Sequence, residues 1–520
     1  MIDMFKRLGN LTLDIAWAAT ILLLPITSLP FLSRLAGNTA VAPASLIPFT
    51  WIVLFWFAFY VIKKGSLPRE SIPFLLFVSI AVIASALAFF LNTPSFKGSS
   101  IAGAENSAIL TLLIGAAFYL VTAGWLAKSP RRVLFTLRLV NVSGSIMLLW
   151  AALQGFYIYL FHGRFPAALM EIQNSISTHS LYFNRITAFA FEPSWLAQQL
   201  NLLFLPFWLA ASVTGWSAFR FRLWKISIEN ILLAIGAIVL FLSSRVGTLS
   251  LFLVLAFLGI YINIQPAEYL QKWTLEHVTR FPLLFQKILR GVLPVLLLLV
   301  FLGIYALAAV IVVYALSHLD WRLARFFQIT SVTQLKFLTG NVYLFFNYLA
   351  FAERFVYWVA GWRVFNLNPI FGVGLGNAGF YFQHALPAYS WTLPEVINIY
   401  FRISAVPNIK SLWIRLLAET GIVGFSSFLT WFLVMFRSAW SIRINKSHLF
   451  KTVGWLGLFV VISFVIEGFS TDTFALPYLW MSLGIVSATA AICRNQQKEP
   501  AAAPVLGIQP QEDSIRDARI

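Results

Sequence analysis

The chain has 520 residues, 60% of them hydrophobic and only 11% charged, with a mean hydropathy of +0.82. A soluble chain carries roughly twice that share of charge, so soluble enzymes, disordered chains and secreted disulfide scaffolds are excluded. The formal charge of +18, from 37 Lys+Arg against 19 Asp+Glu, would point to nucleic acid in a soluble protein; in a membrane protein the question becomes which side holds it.

Apolar runs of about twenty residues, each long enough to cross a hydrocarbon core of roughly 30 Å, recur from end to end. About twelve spans are predicted, near residues 13–32, 43–62, 71–91, 108–127, 133–160, 195–216, 226–243, 247–264, 292–317, 411–436, 452–469 and 474–492. The fifth is long enough to tilt or protrude. The first is of span length and lacks a small-residue cleavage site ahead of a soluble domain, so it reads as an ordinary first helix and not as a signal peptide.

One alternate set of loops holds Lys6/Arg7, Lys63/Lys64/Arg69, Lys128/Arg131/Arg132, Arg220/Arg222/Lys225, Lys272/Arg280/Lys287/Arg290 and Arg437/Arg443/Lys446/Lys451, together with the tail from Arg494. Short cytoplasmic loops retain Lys and Arg. An even number of spans then puts both termini in the cytoplasm, and most of the excess charge is topological. The single Cys493, at the cytoplasmic end of the last span, excludes disulfides and cysteine metal sites. Residues 493–520 read as a disordered cytoplasmic tail, and the lack of an internal repeat weighs against a transporter of inverted halves.

The expected architecture is an all-α polytopic membrane domain over residues 1–492, with long outer loops at 161–194 and 318–410. The second, between spans nine and ten, is far too long for a simple connection. Its Trp, Tyr and Phe content suits a structured layer at the headgroup level, and function is sought there.

Basic residues on this side are few. Arg185 lies in Asn184-Arg185-Ile-Thr-Ala-Phe189-Ala-Phe-Glu192-Pro193, and Arg245 in the turn Ser243-Ser244-Arg245-Val-Gly247. Arg354 opens Arg354-Phe-Val-Tyr-Trp358, which leads through Arg363 to Asn368-Pro369-Ile-Phe-Gly372-Val-Gly374-Leu-Gly376-Asn377. Lys410 opens Lys410-Ser411-Leu-Trp-Ile-Arg415-Leu-Leu-Ala-Glu419-Thr-Gly421-Ile-Val-Gly424. An outer arginine runs against the topological trend. One reading is a multiply charged anion, because guanidinium forks match phosphate oxygens; the other is snorkelling to lipid headgroups or capping of a loop. The glycine string lacks the surrounding βαβ pattern of a dinucleotide fingerprint. Gly374 and Gly376 serve either an anion-facing turn or close helix packing.

These motifs, over roughly Arg185 to Gly424, resemble the bacterial O-antigen ligase and polysaccharide polymerase superfamily of multispanning membrane glycosyltransferases. Their order, spacing and outer location carry the resemblance. It implies a GT-C-like, metal-independent enzyme with no cofactor, working at the outer face of the bacterial cytoplasmic membrane. It implies donor and acceptor glycans on undecaprenyl diphosphate, chain-length regulator and flippase proteins as neighbours, and no nucleic acid. Ligases of this family carry His and a small polar residue nine residues before Gly-x-x-Gly. Here Lys410 replaces the His and Ser411 keeps the polar position, which favours a polymerase of O-antigen or exopolysaccharide repeat units over a ligase acting on lipid A core.

In such a transfer an acceptor hydroxyl attacks a sugar C1 and negative charge gathers on the departing diphosphate. Arg185, Arg245 and Arg354 are the expected clamp for that charge, with Lys410 as a further phosphate contact or a base of lowered pKa. Glu192 is either a base or an acid at a helix N-terminus. Ser411, Arg415 and Glu419 form one stripe on one helix face, either lining the substrate or pairing with each other. Arg363 and His384 complete the expected substrate contacts. A flippase or exporter, the competing class, calls for ionisable groups deep in several spans.

Overall fold

With no water available inside a bilayer, each apolar run must satisfy its own backbone hydrogen bonds, and helices do so. In the computed structural model most of each predicted span falls on helix, the first only as far as Leu22. The structure describes residues 2–37, 40–277, 282–318, 324–325, 327–329, 331–403 and 406–498; the expected tail from residue 499 onward lies outside the described residues.

The helices in chain order are α1 (Ile2–Leu22), α2 (Pro30–Leu35), α3 (Leu46–Ile62), α4 (Ser71–Ala88), α5 (Ile101–Leu126), α6 (Pro130–Leu160), α7 (Ala167–Ile176) and α8 (Pro193–Thr214). After a hairpin of β1 (Arg222–Leu223) and β2 (Ile226–Ser227) come α9 (Ile228–Phe241), α10 (Arg245–His277) and α11 (Leu283–Ser317). The segment expected as the large outer loop forms α12 (Val332–Thr339), α13 (Val342–Tyr348), α14 (Ala352–Leu367) and α15 (Pro394–Phe401). It is followed by α16 (Leu412–Ile442), α17 (His448–Glu467) and α18 (Tyr478–Lys498). The chain is an all-α membrane protein. Among the described residues eight helices are long and apolar enough to cross a membrane, and Leu46–Ile62 and Ile228–Phe241 are shorter apolar helices.

Several boundaries differ from the sequence reading; the eighth run, for one, is helical to His277 where 264 was expected. The first apolar run stops being helical at Leu22, ahead of Pro25 and Pro30, and a short second helix takes up the rest, because proline ends a helix before it. The last helix continues past Cys493 to Lys498. Helix starts follow local capping: the hydroxyls of Ser100, Ser129, Ser227 and Ser411 accept from backbone amides of α5, α6, α9 and α16. α11 is expected to face lipid, since none of its apolar window is buried against the rest of the chain.

The bundle has two chemically distinct ends. At one, the Glu70 carboxylate before α4 accepts from both Arg494 nitrogens, with Nη2 to Oε2 at 2.8 Å, and from Ser438 at 3.3 Å. Arg443 and Cys493 lie at this end, where Arg443 covers Trp440 at 3.5 Å and Asn445 donates to the Cys493 sulfur. Because Glu70 is buried and tied to Arg494, Glu70→Ala should lower the melting temperature of detergent-purified protein by an amount equivalent to about 1–2 kcal/mol. An unchanged melting curve would show that the pair contributes nothing. α4 runs from this end to Ala88, which meets Gly374, so the glycine string lies at the opposite end.

One hydrophobic core runs through the bundle, built around Trp17, Phe74, Tyr119, Trp208, Trp431 and Trp480. A second core gathers residues of 352–418, with Val356, Tyr357, Ala360, Val373, Phe380 and Phe382 at its centre, and Phe96 from the connection between α4 and α5. The long segment is therefore anchored on that connection while lying against α16.

Candidate functional site

The Pro369–Asn377 string and the Glu419-Thr-Gly421-Ile-Val-Gly424 stretch are complementary halves of one junction. At Gly421 the backbone takes φ 64° and ψ −169°, breaking α16. The break frees the Ala418 and Glu419 carbonyls, which accept from the Val373 and Gly374 amides at 2.9 and 3.0 Å. It also frees the Ile422 and Val423 amides, which donate to the Pro369 and Ile370 carbonyls at 2.8 and 3.3 Å. Interrupted helices persist at membrane depth only where protein satisfies the exposed backbone, and here the glycine string does so. Leu375 N–H donates to Ser85 Oγ at 3.1 Å. A Cβ on Gly374 would come within 2.6 Å of Ala88 Cβ, and one on Gly376 within 2.7 Å of the Ala104 carbonyl oxygen. With the amides of 372–375 engaged and both Cβ positions blocked, Gly374 and Gly376 are places of close packing.

The first half of α16 is held at its start. Ser411, fully buried, donates to the Gly468 carbonyl at 3.3 Å and accepts from the Ile414 amide at 3.5 Å, so it is a helix cap and a tie to the turn after α17. Arg415 Nε donates to Glu419 Oε2 at 2.9 Å, and its Nη1 donates to the Asp472 carbonyl at 2.5 Å. Both side chains are buried. Of the readings open for this stripe, the paired one describes the geometry: Arg415 and Glu419 hold the half-helix and the 468–473 turn together.

That turn is where the site gathers. Arg354 Nη1 on α14 donates to the Ser470 carbonyl at 3.5 Å, and Gln198 on α8 donates to the same oxygen at 3.4 Å. Trp358, one turn beyond Arg354, packs on Phe469 with ring centroids 5.3 Å apart. Glu467, the last residue of α17 and 1% exposed, lies within electrostatic reach of Arg354. Its Oε1 accepts from Asn201 at 2.7 Å, while Oε2 has no hydrogen-bond partner among the described residues. Asn201 sits in a π-helical turn of α8, Leu200–Phe204, and also donates to the Gly247 carbonyl at 2.9 Å. π turns recur at functional sites. Gly247 belongs to the first turn of α10, which Arg245 begins; Arg245 Nη1 donates to the Leu349 carbonyl at 3.1 Å. Arg354 and Ser411 thus donate directly to this turn, while Asn201 joins Glu467 at its start to the Gly247 carbonyl, two residues beyond Arg245.

Arg185 and Glu192 belong to the approach to α8. Both act electrostatically on Tyr182, whose hydroxyl is pushed up first by burial and then by Glu192, with Arg185 opposing. Glu192 occupies the N-cap position of α8, yet its carboxylate makes no bond to a helix amide and accepts from the Ser194 hydroxyl instead. Lys410 adopts a left-handed backbone, φ 58°, and its ammonium is ion-paired with Glu395. Arg363 donates to the Ala385 carbonyl at 3.0 Å, and His384 next to it is exposed. Arg363 is thereby tied to the second core, through Ala385, and not to the 468–473 turn.

Sequence reasoning passed over Gln198, Asn201 and Glu467, together with the Glu353 and Glu395 carboxylates beside Lys410. A buried acid at a span end is a signal it had available, but Glu467 closes an apolar run and reads as its boundary. Among the described residues no group of three or more His, Cys, Asp and Glu stands close enough to hold a metal ion. No protein-family model matches the chain, and no curated protein matches it.

Proposed function

We propose that this protein is a membrane glycosyltransferase that polymerises polyprenyl-diphosphate-linked oligosaccharide repeat units at the outer face of the bacterial cytoplasmic membrane. The reading has about twelve crossings, both termini inside, donor and acceptor glycans on undecaprenyl diphosphate, and chain-length regulator and flippase proteins as neighbours. One observation carries it: Arg354 and Ser411, drawn from two separate motifs of the resemblance, both donate to carbonyls of the Gly468–Thr473 turn, at Ser470 and Gly468. This turn stands at the end of the bundle opposite Glu70 and Arg494.

Guanidinium groups half-withdrawn from water suit a departing diphosphate, since fixed cations in a site of low polarity stabilise charge that develops there. Of the buried acids, Glu70, Glu229 and Glu467 stand at helix ends, Glu105 lies just inside α5, and Glu419, paired with Arg415, lies two turns inside α16.

The test is product identity. Purified protein in lipid nanodiscs, given a polyprenyl-diphosphate oligosaccharide, should yield a ladder of longer glycans still on the polyprenyl carrier, read by gel and mass spectrometry. Glycan appearing only on added lipid A core would assign the ligase reaction. Translocation of the lipid across vesicles with no new glycosidic bond would assign the exporter.

A further inference from the structure

Of the base candidates in the motifs, Glu192 is engaged by the Ser194 hydroxyl, and a protonated lysine has no lone pair to offer. Lys410 is moreover occupied: its ammonium is ion-paired with Glu395 and stands 5.3 Å from the centre of the Tyr357 ring. Glu395 lies in the first turn of α15, and its backbone N–H donates to Glu353 Oε1 at 3.3 Å. Glu353 lies in the first turn of α14. Two carboxylates from separate helices and one lysine thus form a compact cluster outside the membrane-spanning helices.

The walls of this cluster are dry on one side. Tyr357, one helical turn beyond Glu353, is fully buried, and its hydroxyl and that of Tyr400 from α15 have no hydrogen-bond partner among the described residues. The other side is open, with the Lys410 and Glu395 side chains 27% and 26% exposed. An acceptor sugar can therefore reach the carboxylates without entering the bundle.

Position relates the cluster to the arginine site. Glu353 and Arg354 are neighbours on α14, about 100° apart around the helix, so one faces Lys410 and the other the Ser470 carbonyl. Lys410 in turn is bonded to Ser411, whose hydroxyl donates to Gly468 on the same turn. The carboxylates and the arginine flank one segment.

We propose that Glu353 is the general base that takes the proton of the acceptor hydroxyl, with Glu395 and Lys410 as the residues that position and tune it. The proposal rests on the transferase reading above. As the acceptor oxygen bonds to the donor C1, the bond from C1 to the phosphate oxygen breaks and its electron pair leaves on the diphosphate. The acceptor proton passes to the Glu353 carboxylate, which later returns it to water.

Burial and then the neighbouring Glu395 raise the pKa of Glu353, while Lys410 lowers it. A base works best when its pKa approaches the operating pH, and a like charge a few ångströms away is one means of moving a carboxylate there. The charged and titratable groups facing it are Glu395 and Tyr400 from α15, Lys410 from the segment before α16, and Tyr357 on its own helix.

Elongation of a polyprenyl-diphosphate oligosaccharide, measured from pH 5 to 9, tests this. Glu353→Gln should slow elongation by about 10²–10⁴-fold while the KM for the lipid donor changes by less than about threefold. Glu395→Gln removes the charge that raises the Glu353 pKa, so the base form persists to lower pH and the acid limb of the rate profile should move down by about one pH unit. A purely structural Glu353 would leave that limb in place. A folded Glu353→Gln protein with the wild-type rate overturns the assignment. Where Glu353→Gln does not fold, an unmoved acid limb in Glu395→Gln overturns it instead. Wild-type protein that makes no longer glycan at any pH refutes the transferase reading first, an outcome distinct from both.

Discussion

Arg354→Ala is expected to slow glycan elongation by about 10²–10³-fold while leaving the protein folded. The guanidinium is half-buried, and its hydrogen bond to the protein, to the Ser470 carbonyl, is long at 3.5 Å. It therefore contributes little to the fold, and its remaining donors point to a role with ligand. Loss of one preorganised donor to a developing anion costs about 3–4 kcal/mol of transition-state stabilisation, the quantity the rate ratio reads directly. Arg354→Lys keeps the charge but loses the fork, so it should recover part of the rate. Arg245→Ala should act in the same direction. The measurement is single-turnover elongation with the purified variant, alongside its melting temperature. An Arg354→Ala protein that melts normally and elongates at the wild-type rate would remove the arginine from the diphosphate site.

Gly421→Ala is expected to have the largest effect on stability. Its backbone, φ 64° and ψ −169°, lies in a region that essentially only glycine occupies. An added Cβ would stand 2.2 Å from the Ile370 carbonyl oxygen, against backbone that cannot turn aside. Strain and the loss of the junction between the glycine string and the broken helix together put the cost at about 4 kcal/mol or more. The variant should melt far below wild type or fail to elute as a single species from size-exclusion chromatography in detergent. Gly303→Ala in α11 is the control, because a Cβ there meets nothing within 4 Å. Equal behaviour of the two variants would contradict the docking of the string into the break.

Both predictions depend on contacts between segments distant in the chain, and this divides what was legible in the sequence from what was not. The motif arginines were singled out by their composition and expected side, and of them Arg354 donates to the turn after α17, while Arg245 donates to the Leu349 carbonyl. The i, i+4 stripe of Ser411, Arg415 and Glu419 was legible from helical spacing, which places such residues on one face. Its meaning was not, since Asp472 and Gly468 supply the partners. For the glycine string the sequence left an anion-facing turn and close packing both open, and its partner, the freed carbonyls of Ala418 and Glu419, appears only once α16 is seen to break. Glu353 and Glu395 carried no sequence signal at all: neither belongs to a motif, and only the packing of α14 against α15 and the segment before α16 brings them to Lys410.

The amino-acid sequence by itself determined that this is a helical membrane protein, where its apolar runs lie, and that its +18 charge is mostly gathered in alternate loops. Those features follow from hydrophobic length and local composition, which act residue by residue along the chain. The tertiary structure alone decided that the turn after α17 is the meeting point, that Glu467 and Asn201 belong to it, and that Lys410 is held by a carboxylate. Hydrogen bonds and ion pairs depend on distances of about 3 Å between residues that may be hundreds of positions apart. Helix packing sets those distances, and no local pattern encodes them.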